Sequence, residues 1–393
     1  MSRKLIVCLD GTGNEIEKNE SNVLRLYKCL KRTPEQVVYY HPGVGTLDTH
    51  PFSRVFLSKP KQILGLVSGL GLETNVLRAF KFLCENYQEG DELYFFGYSR
   101  GAYTARVLAG FINDFGLVSP GEFHLIAPVF RVWRKLLDND ERKKHAKLRM
   151  LEKAFHMEYP SIRFLGLWDT VSSLIRLKIG KGTILQFGTH SSVNVNPSVK
   201  AVRHVLAIDE TRRFFRHQFW TEGQLYYGNR FKTKKDPPLQ DVKQVWFAGT
   251  HTDVAGSLIE ERAGLSKITM QWMREELDGL KNDALEFREP TYNRYVLGKE
   301  DAVTKRMKLK ISRPDPLAPT HSQMKKGWFV LEAFPRLRRR SRWPDQWNFF
   351  GYYIPWGQPR YIPPSSDIHP TVFERREDPK SDYDPENLKG FEP

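Results

Sequence analysis

A single serine, Ser99, stands between two glycines in the stretch GYSRG at residues 97–101. A Gly-x-Ser-x-Gly pattern provides a sharp turn that presents a nucleophilic serine at the end of a strand, because the glycines remove side chains that would clash. The preceding LYFF is typical of a buried strand, and the following AYTARVLAGFI has the apolar spacing of a helix. The alternative is a glycine-rich turn in which Ser99 caps that helix. The context favours a nucleophile.

A serine nucleophile requires a histidine base and a carboxylate that orients the histidine. His251 follows the apolar run VWF in a loop of small residues, and Asp169 follows the run IRFLGLW. Both would lie at the carboxyl ends of parallel strands, where catalytic groups gather. The chain order Ser99, Asp169, His251 is that of α/β-hydrolases. His41, after the run QVVYY, is the other candidate base, and Asp253 is either a rival acid or a residue that supports the His251 loop.

The remaining histidines are weaker candidates. His204 and His217 lie in the segment KAVRHVLAIDETRRFFRHQFW, which we interpret as helical, and His145 lies in a highly charged run. None of these positions is predicted to follow a strand.

Ester hydrolysis also requires donors for the oxyanion that forms on the carbonyl oxygen. The backbone N–H of Arg100, the residue after the nucleophile, is the first predicted donor. The second is predicted in the loop DGTGN, at Gly11 or Thr12, where the backbone could approach the substrate closely. The alternative for this loop is an ordinary tight turn in which Asp10 bonds the loop's own N–H groups.

These residues need a sheet to bring them together, and the sequence predicts one. Apolar runs alternate with helical patterns along the N-terminal part of the chain. Strands are predicted at residues 4–10, 36–41 and 93–99, with helices at 20–32, 74–87 and 102–112. This alternation predicts an α/β-hydrolase fold with a mostly parallel central sheet, helices on both faces and helical insertions.

A chain of 393 residues allows one large domain with insertions or two or three smaller ones, and 40% hydrophobic with 13% aromatic residues is ample for a packed core. We predict a single α/β-hydrolase domain over residues 1–393. With 61 basic and 46 acidic residues the net charge is +15, which favours anionic partners such as phospholipid surfaces, nucleic acid or phosphorylated substrates. No nucleic-acid motif is evident. Cys8, Cys29 and Cys84 lack Cys-x-x-Cys spacing, so we expect reduced, packed thiols and neither a disulfide framework nor a zinc ribbon.

No apolar run approaches the roughly 18 residues of a membrane span, and the N-terminal run is too short for a signal-peptide core. We therefore expect a cytoplasmic protein, or one exported without a cleaved signal.

Seven sequence blocks carry a family resemblance: VCLDGTGN, GDELYFFGYSRGAYTARVLAG, LGLWDTVSS, RHVLAIDETRRFF, VWFAGTHTDVAG, GLSKITMQWM and HPTVFERREDPKSDYDPENL. In this order they resemble a bacterial and fungal α/β-hydrolase domain family, formerly of unknown function, that includes the catalytic domain of one class of type VI secretion phospholipase effectors. The resemblance implies Ser99 as nucleophile, Asp169 as acid and His251 as base. It also implies ester hydrolysis, with phospholipids as the substrate of secreted members and an immunity or delivery partner for an effector.

Two segments are predicted to be additions to the sheet. Residues 120–155 read as charged helices that form either a cap over the site or a solvated surface pair. Residues 300–393 read as an irregular extension, rich in proline, aromatic residues and arginine, that packs on the core. Within it, residues 327–364 could contact anionic lipid headgroups, stack on single-stranded nucleic acid, or serve only as packing.

The resulting hypothesis is a serine esterase of the lipase or phospholipase type that forms an acyl-enzyme and needs no metal or cofactor. Two alternatives stay open. LIVCLDGTGN resembles the first strand of haloacid-dehalogenase phosphatases, but Cys8 replaces their phosphoryl-accepting aspartate. The other alternative is a non-enzymatic basic protein that binds membranes or nucleic acid.

Overall fold

The protein is described by a computed structural model that covers residues 2–11, 19–43, 71–137, 141–171, 175–176, 186–187, 193–212, 215–229, 231, 235–324, 328, 332, 336–337, 352–354 and 356–393. Across these ranges, seven strands form one central sheet in which every neighbouring pair is parallel. The strands are β1 Lys4–Leu9, β2 Gln36–His41, β3 Glu92–Tyr98, β4 Ile162–Trp168, β5 Val199–Ala207, β6 Asp241–Phe247 and β7 Asp367–Ile368. Their order is β7-β6-β5-β4-β3-β1-β2, which confirms the predicted α/β fold.

Helices connect the strands and cover the sheet. They are α1 Asn22–Cys29, α2 Leu72–Asn86, α3 Arg100–Phe115, α4 Ile126–Leu136, α5 Glu141–Glu152, α6 His251–Ala255, α7 Gly264–Asp278, α8 Glu289–Tyr295, α9 Ala302–Met307 and α10 Pro370–Glu377. Short 3-10 helices lie at Pro120–Leu125, Glu260–Arg262, Lys281–Asp283 and Glu386–Leu388. Within the described ranges, four small antiparallel ladders join Glu20–Ser21 to Gly256–Leu258, Leu117–Val118 to Met157–Glu158, Ile175–Arg176 to Gln186–Phe187, and Arg336–Leu337 to Tyr352–Tyr353.

Strand β1 shows why the sheet is covered on both faces. Successive side chains of a strand point to opposite faces. Leu5, Val7 and Leu9 pack in one buried cluster with residues of α2 and α3. Ile6 and Cys8 pack in a second cluster with residues of α1 and α7. A strand buried on both faces reads as a continuous apolar run, as β1 does.

The helix predicted for the segment that begins near residue 200 is wrong. Val199–Ala207 forms β5, which pairs with β4 on one side and with β6 on the other. Val199, Val202 and Val205 have the spacing of a helical stripe, but every residue between them except Lys200 is buried as well. A strand with two buried faces therefore has an apolar pattern that the three-residue spacing alone does not distinguish from a helix.

The segment predicted as a cap packs beside α3. Rings of Phe130 and Trp133 on α4 contact Phe111, and Trp133 Nε1 donates to Asp114 Oδ2 at 2.9 Å. Phe111 lies twelve residues after Ser99, about 18 Å along the helix axis. This packing favours the surface-helix alternative for residues 120–155, and a cap stays a prediction.

The described part of the C-terminal extension packs on the sheet edge. Strand β7 pairs with β6, and the His369 N–H donates to the Trp246 carbonyl at 2.9 Å. Ile362 and Val372 join the buried cluster around Trp246. Residues 327, 329–331, 333–335, 338–351 and 355 lie outside the described residues, so the roles considered for segment 327–364 stay predictions.

Two further expectations concern thiols and membrane spans. Cys8, Cys29 and Cys84 are buried and free, as predicted, and burial raises the pKa of Cys29 and Cys84 to about 12. In the portion of the chain that the structure describes, none of the helices combines the length and apolarity needed to cross a bilayer.

Candidate active site

Ser99 occupies the turn between β3 and α3 with φ 57° and ψ −119°. This backbone conformation is strained for a serine, and such strain is concentrated at functional sites. A Cβ on Gly97 would lie 2.6 Å from Ala102 Cα, and one on Gly101 would lie 2.1 Å from the Leu9 carbonyl oxygen. Both glycines are therefore needed for α3 to pack this closely on the strand ends.

His251 is the first residue of α6, four positions beyond the end of β6. Its Nε2 lies 2.8 Å from Ser99 Oγ, and its Nδ1 lies 2.5 Å from Asp169 Oδ2. When Nδ1–H donates to the carboxylate, Nε2 is left to accept the Ser99 hydroxyl proton. The Ser99 hydroxyl thus contacts the imidazole and does not cap α3.

Asp169 comes directly after β4 and has φ 42°. Its N–H donates to the Val205 carbonyl at 2.8 Å, and its Oδ1 accepts from the Ala207 N–H at 3.2 Å. These bonds to the end of β5 fix the carboxylate at the same edge of the sheet as Ser99. The structure therefore brings together the three side chains for which the sequence predicts catalytic roles.

Arg360 completes the surroundings of Asp169, and sequence reasoning missed it. Its Nη1 lies 2.5 Å from Oδ1 and its Nη2 lies 2.9 Å from Oδ2 of the carboxylate. Burial works to raise the pKa of Asp169, but the Arg360 charge and the His251 hydrogen bond outweigh burial and hold that pKa well below its usual range. The carboxylate is therefore ionised throughout the physiological pH range.

The His251 ring is enclosed by aromatic side chains. The rings of Tyr98 and Phe215 each lie with their centroids 4.9 Å from the imidazole, and Glu210 Oε2 accepts from the His251 backbone N–H at 3.3 Å. Burial lowers the pKa of His251, although Asp169 works to raise it. The imidazole is consequently neutral at neutral pH, which is the state in which it accepts a proton.

Glu210 and Arg212 form a buried ion pair beside this ring, with Arg212 Nη2 2.7 Å from Glu210 Oε2. The Arg212 guanidinium carbon lies 3.6 Å from the centroid of Phe215. Sequence reasoning assigned these residues no role, although the block DETRRFF contributed to the family resemblance. Their contacts hold Phe215 against His251.

The Asp253 carboxylate hydrogen-bonds Thr250 and His321. Its Oδ2 accepts from the Thr250 N–H at 2.9 Å, from Thr250 Oγ1 at 2.8 Å and from the His321 N–H at 2.9 Å. Its Oδ1 lies 2.7 Å from His321 Nδ1. These bonds orient the loop that carries His251, which favours the supporting role for Asp253.

The competing histidines have other contacts. His41 Nε2 lies 3.4 Å from Arg78 Nη1. His204 Nε2 accepts from the Thr170 N–H at 3.2 Å, and burial lowers the pKa of His204 to about 3. The His217 ring packs against aromatic rings, with Phe219 at a centroid distance of 4.5 Å. His251 is thus the histidine that the structure places beside Ser99.

The predicted oxyanion loop is described only in part. The Gly11 N–H donates to Asp10 Oδ1 at 2.6 Å. Asp10 Oδ2 accepts from Ser21 Oγ at 2.6 Å and from the Tyr40 hydroxyl at 2.8 Å. These bonds match the turn considered as the alternative for this loop. Thr12 lies outside the described residues, so its role and that of Gly11 as donors stay predictions.

Arg100 is the first residue of α3. The first N–H groups of a helix have no intrahelical acceptor and attract negative charge. Burial lowers the pKa of the Arg100 guanidinium to about 10, so the side chain stays cationic at neutral pH. Within the described residues, no group of three or more His, Cys, Asp and Glu side chains is arranged as a metal site.

The sequence model of a family described as "T6SS, Phospholipase effector Tle1-like, catalytic domain" matches residues 3–276. The chain belongs to this family. Ser99, Asp169 and His251 lie inside the matched Tle1-like segment, whereas Arg360 lies outside it. The Tle1-like assignment confirms the resemblance found in the sequence.

Three individual proteins that resemble this chain are each less than 30% identical to it. The uncharacterized protein YEL023C of Saccharomyces cerevisiae is 29% identical over 231 residues, which are 56% of this chain and 33% of the yeast protein. The chain thus spans about a third of the length of that relative. A crystal structure of an uncharacterized protein from Pseudomonas aeruginosa is 18% identical, with a TM-score of 0.42, and the match covers 73% of this chain and 47% of that one. The Tle1 effector, in a structure bound to the VgrG spike of the type 6 secretion system, is 17% identical, with a TM-score of 0.34 and coverage of 67% and 52%.

Proposed function

We propose that this Tle1-like domain is a serine hydrolase that cleaves carboxylic esters of phospholipids, with Ser99 as nucleophile, His251 as general base and Asp169 as the orienting acid. The observation that carries the proposal is one continuous hydrogen-bonded chain. Ser99 Oγ lies 2.8 Å from His251 Nε2, and His251 Nδ1 lies 2.5 Å from Asp169 Oδ2. This is the geometry by which an imidazole removes a hydroxyl proton as the oxygen attacks a carbonyl.

In the first half of the reaction, Ser99 Oγ attacks the ester carbonyl carbon while Nε2 of His251 takes the hydroxyl proton. The Asp169 carboxylate stabilises the imidazolium without itself taking a proton. The carbonyl oxygen becomes an oxyanion, for which the Arg100 N–H and the Gly11/Thr12 loop are the proposed donors. The imidazolium then protonates the leaving alcohol oxygen, and the acyl group remains on Ser99.

In the second half, water attacks the acyl-enzyme and gives its proton to His251 Nε2. The tetrahedral intermediate collapses, Ser99 Oγ leaves and recovers the proton, and the fatty acid is released. Both steps need a neutral imidazole at the start, which the low pKa of the buried His251 supports. The chemistry is complete with the side chains named and needs no cofactor.

Family membership supports phospholipids as the substrate class. The net charge of +15 supports contact with an anionic membrane surface that holds the substrate. An immunity or delivery partner stays a prediction that follows from the family alone.

The direct test is labelling with a fluorophosphonate probe, together with fatty-acid release from phospholipid vesicles. We expect wild type to be labelled and active, and Ser99→Ala to be neither. Ser198→Ala is the matched control, because Ser198 is also buried but hydrogen-bonds Asn196 near the opposite end of β5. A Ser99→Ala protein that keeps esterase activity, or an active wild type that the probe does not label, would contradict the proposal.

A further inference from the structure

Arg360 reaches Asp169 from a part of the chain that the family match does not include, since the match ends at residue 276. The two residues are 191 positions apart, and both side chains are fully buried. Their contact is bidentate: each guanidinium nitrogen involved faces one carboxylate oxygen. The planar fork of arginine matches a carboxylate in this way and fixes the plane of the carboxylate as well as its position.

That plane matters because Asp169 Oδ2 bonds both Arg360 Nη2 and His251 Nδ1. A carboxylate free to rotate about its Cβ–Cγ bond would change both the length and the direction of the bond to the imidazole. The guanidinium fork removes this rotation. Arg360 therefore acts on the imidazole through Asp169.

Arg360 is in turn held in place. Its Nη1 donates to the Ala207 carbonyl at 3.1 Å and its Nη2 donates to the Phe215 carbonyl. Asn387 Nδ2 donates to the carbonyls of Arg360 and of Ile208, each at 3.0 Å. The guanidinium of Arg360 is thus anchored to the sheet end that carries Asp169, and its backbone is anchored to the C-terminal segment.

A contribution to folding stability does not by itself explain the buried Asp169–Arg360 ion pair. Replacing a buried ion pair by apolar residues of similar volume is often neutral or stabilising, because both charges lose their hydration. A cation beside a buried carboxylate, however, favours its ionised form. Among the residues that the structure describes, Glu210, Arg212, His204 and Tyr98 are further titratable groups that interact with the Asp169–His251 pair.

We infer that Arg360 is a positioning residue for the catalytic acid, so that the catalytic unit of this chain extends beyond the Tle1-like segment into its C-terminal residues. The inference rests on the proposed function, because it assigns Asp169 the acid's role. It adds a residue that neither the sequence motifs nor the family match includes.

The test is the pH profile of kcat/KM for a short-chain chromogenic ester in wild type, Arg360→Gln and Arg360→Lys. Without the guanidinium charge, the Asp169 charge acts more strongly on His251 and raises the imidazole pKa, and Asp169 itself becomes easier to protonate. The acid limb of the profile is the pH range in which kcat/KM falls on acidification. Both effects move this limb to higher pH, by about one unit or more. We expect kcat to fall by about tenfold to a hundredfold, since the general base contributes ~10²–10⁴ and Arg360 acts only through it. KM should change little.

Arg375→Gln is the matched control. Arg375 is a buried arginine of the same C-terminal segment, but it donates to the Pro316 and Ala318 carbonyls, at 2.6 and 2.7 Å. Its loss should leave the acid limb where wild type has it, even if the protein is less stable.

Arg360→Lys keeps the charge but loses the fork, so we expect a lower kcat with an acid limb near that of wild type. If Arg360→Gln does not fold, Arg360→Lys alone tests the positioning role of Arg360. The inference is overturned by an Arg360→Gln profile that coincides with wild type, or by an Arg360→Lys variant with full kcat. In either case a wild type that is labelled at Ser99 would leave the proposed function standing.

Discussion

Two aspartate–histidine pairs lie close together in this molecule, and only one of them reaches a serine. In the pair Asp169–His251 the carboxylate and imidazole are 2.5 Å apart, and in the pair Asp253–His321 they are 2.7 Å apart. The first pair continues through Nε2 to the hydroxyl of Ser99. In the second, the carboxylate also accepts from backbone N–H groups and so orients a loop.

The difference shows that an aspartate–histidine contact by itself does not define a catalytic site. The surroundings of the two carboxylates differ in kind. Asp169 has a guanidinium on one side and an imidazole on the other, and both contacts help to keep it ionised. Asp253 forms a capping box with Thr250 at the start of α6. The second pair therefore supports the first by fixing the helix that begins at His251.

Replacing His251 or His321 singly by glutamine should give the largest difference in kcat/KM between the two pairs. We expect His251→Gln to lower kcat/KM by about 10⁵-fold, because nucleophile and base act as a unit and losing one costs about as much as losing both. We expect His321→Gln to stay within about tenfold of wild type, because the Asp253 bonds to the backbone of the loop remain. Initial rates with a chromogenic ester measure both. Equal losses in the two variants would break the distinction between the pairs.

The two aspartates give the next contrast. In Asp169→Asn an amide group faces Nδ1 and favours the wrong imidazole tautomer, so we expect kcat to fall by about 10⁴-fold. In Asp253→Asn we expect kcat within about tenfold of wild type and a free energy of unfolding lower by about 1–3 kcal/mol. Urea denaturation measures the second effect. An Asp253→Asn protein that is fully stable but inactive would assign Asp253 to the chemistry.

The smallest effect is on the pH dependence. Because burial lowers the pKa of His251, the base stays neutral until the pH falls below the ordinary histidine value of about 6.5. We therefore expect kcat/KM to be flat around neutrality and to fall only below that pH. His321→Gln should leave this limb in place. If His321→Gln shifted the pH at which kcat/KM falls, the two aspartate–histidine pairs would be coupled, contrary to this expectation.

Much of this site could be predicted from the sequence because its parts follow apolar runs. Ser99, Asp169 and His251 come at or near the ends of β3, β4 and β6, whose buried residues give a strong local signal. Parallel strands deliver such positions to one edge of the sheet. Arg360 gave no local signal, because its partner is 191 positions away and its own stretch, GQPRYIPP, has no regular pattern.

Strands at the two extremes of burial were the least predictable. Strand β5 lies inside the sheet, and its residues Val199, Val202 and Val205 have a spacing that a helix also shows. Strand β7 is two residues long, Asp367–Ile368, and it is a strand only because it pairs with Val245 and Trp246. Both elements are strands because they pair with other strands, and the local sequence does not reveal this pairing.

The separation between Asp169 and Arg360 also sets an order of events during synthesis. Domains fold as the chain emerges from its N-terminal end, so Asp169 is made well before the segment that neutralises it. Until that segment docks, the sheet end holds a carboxylate without its counter-ion, and burying it there is unfavourable. We therefore expect the nascent chain to complete this region late, and we expect the proposed hydrolysis to reach its full rate only when the C-terminal segment has docked.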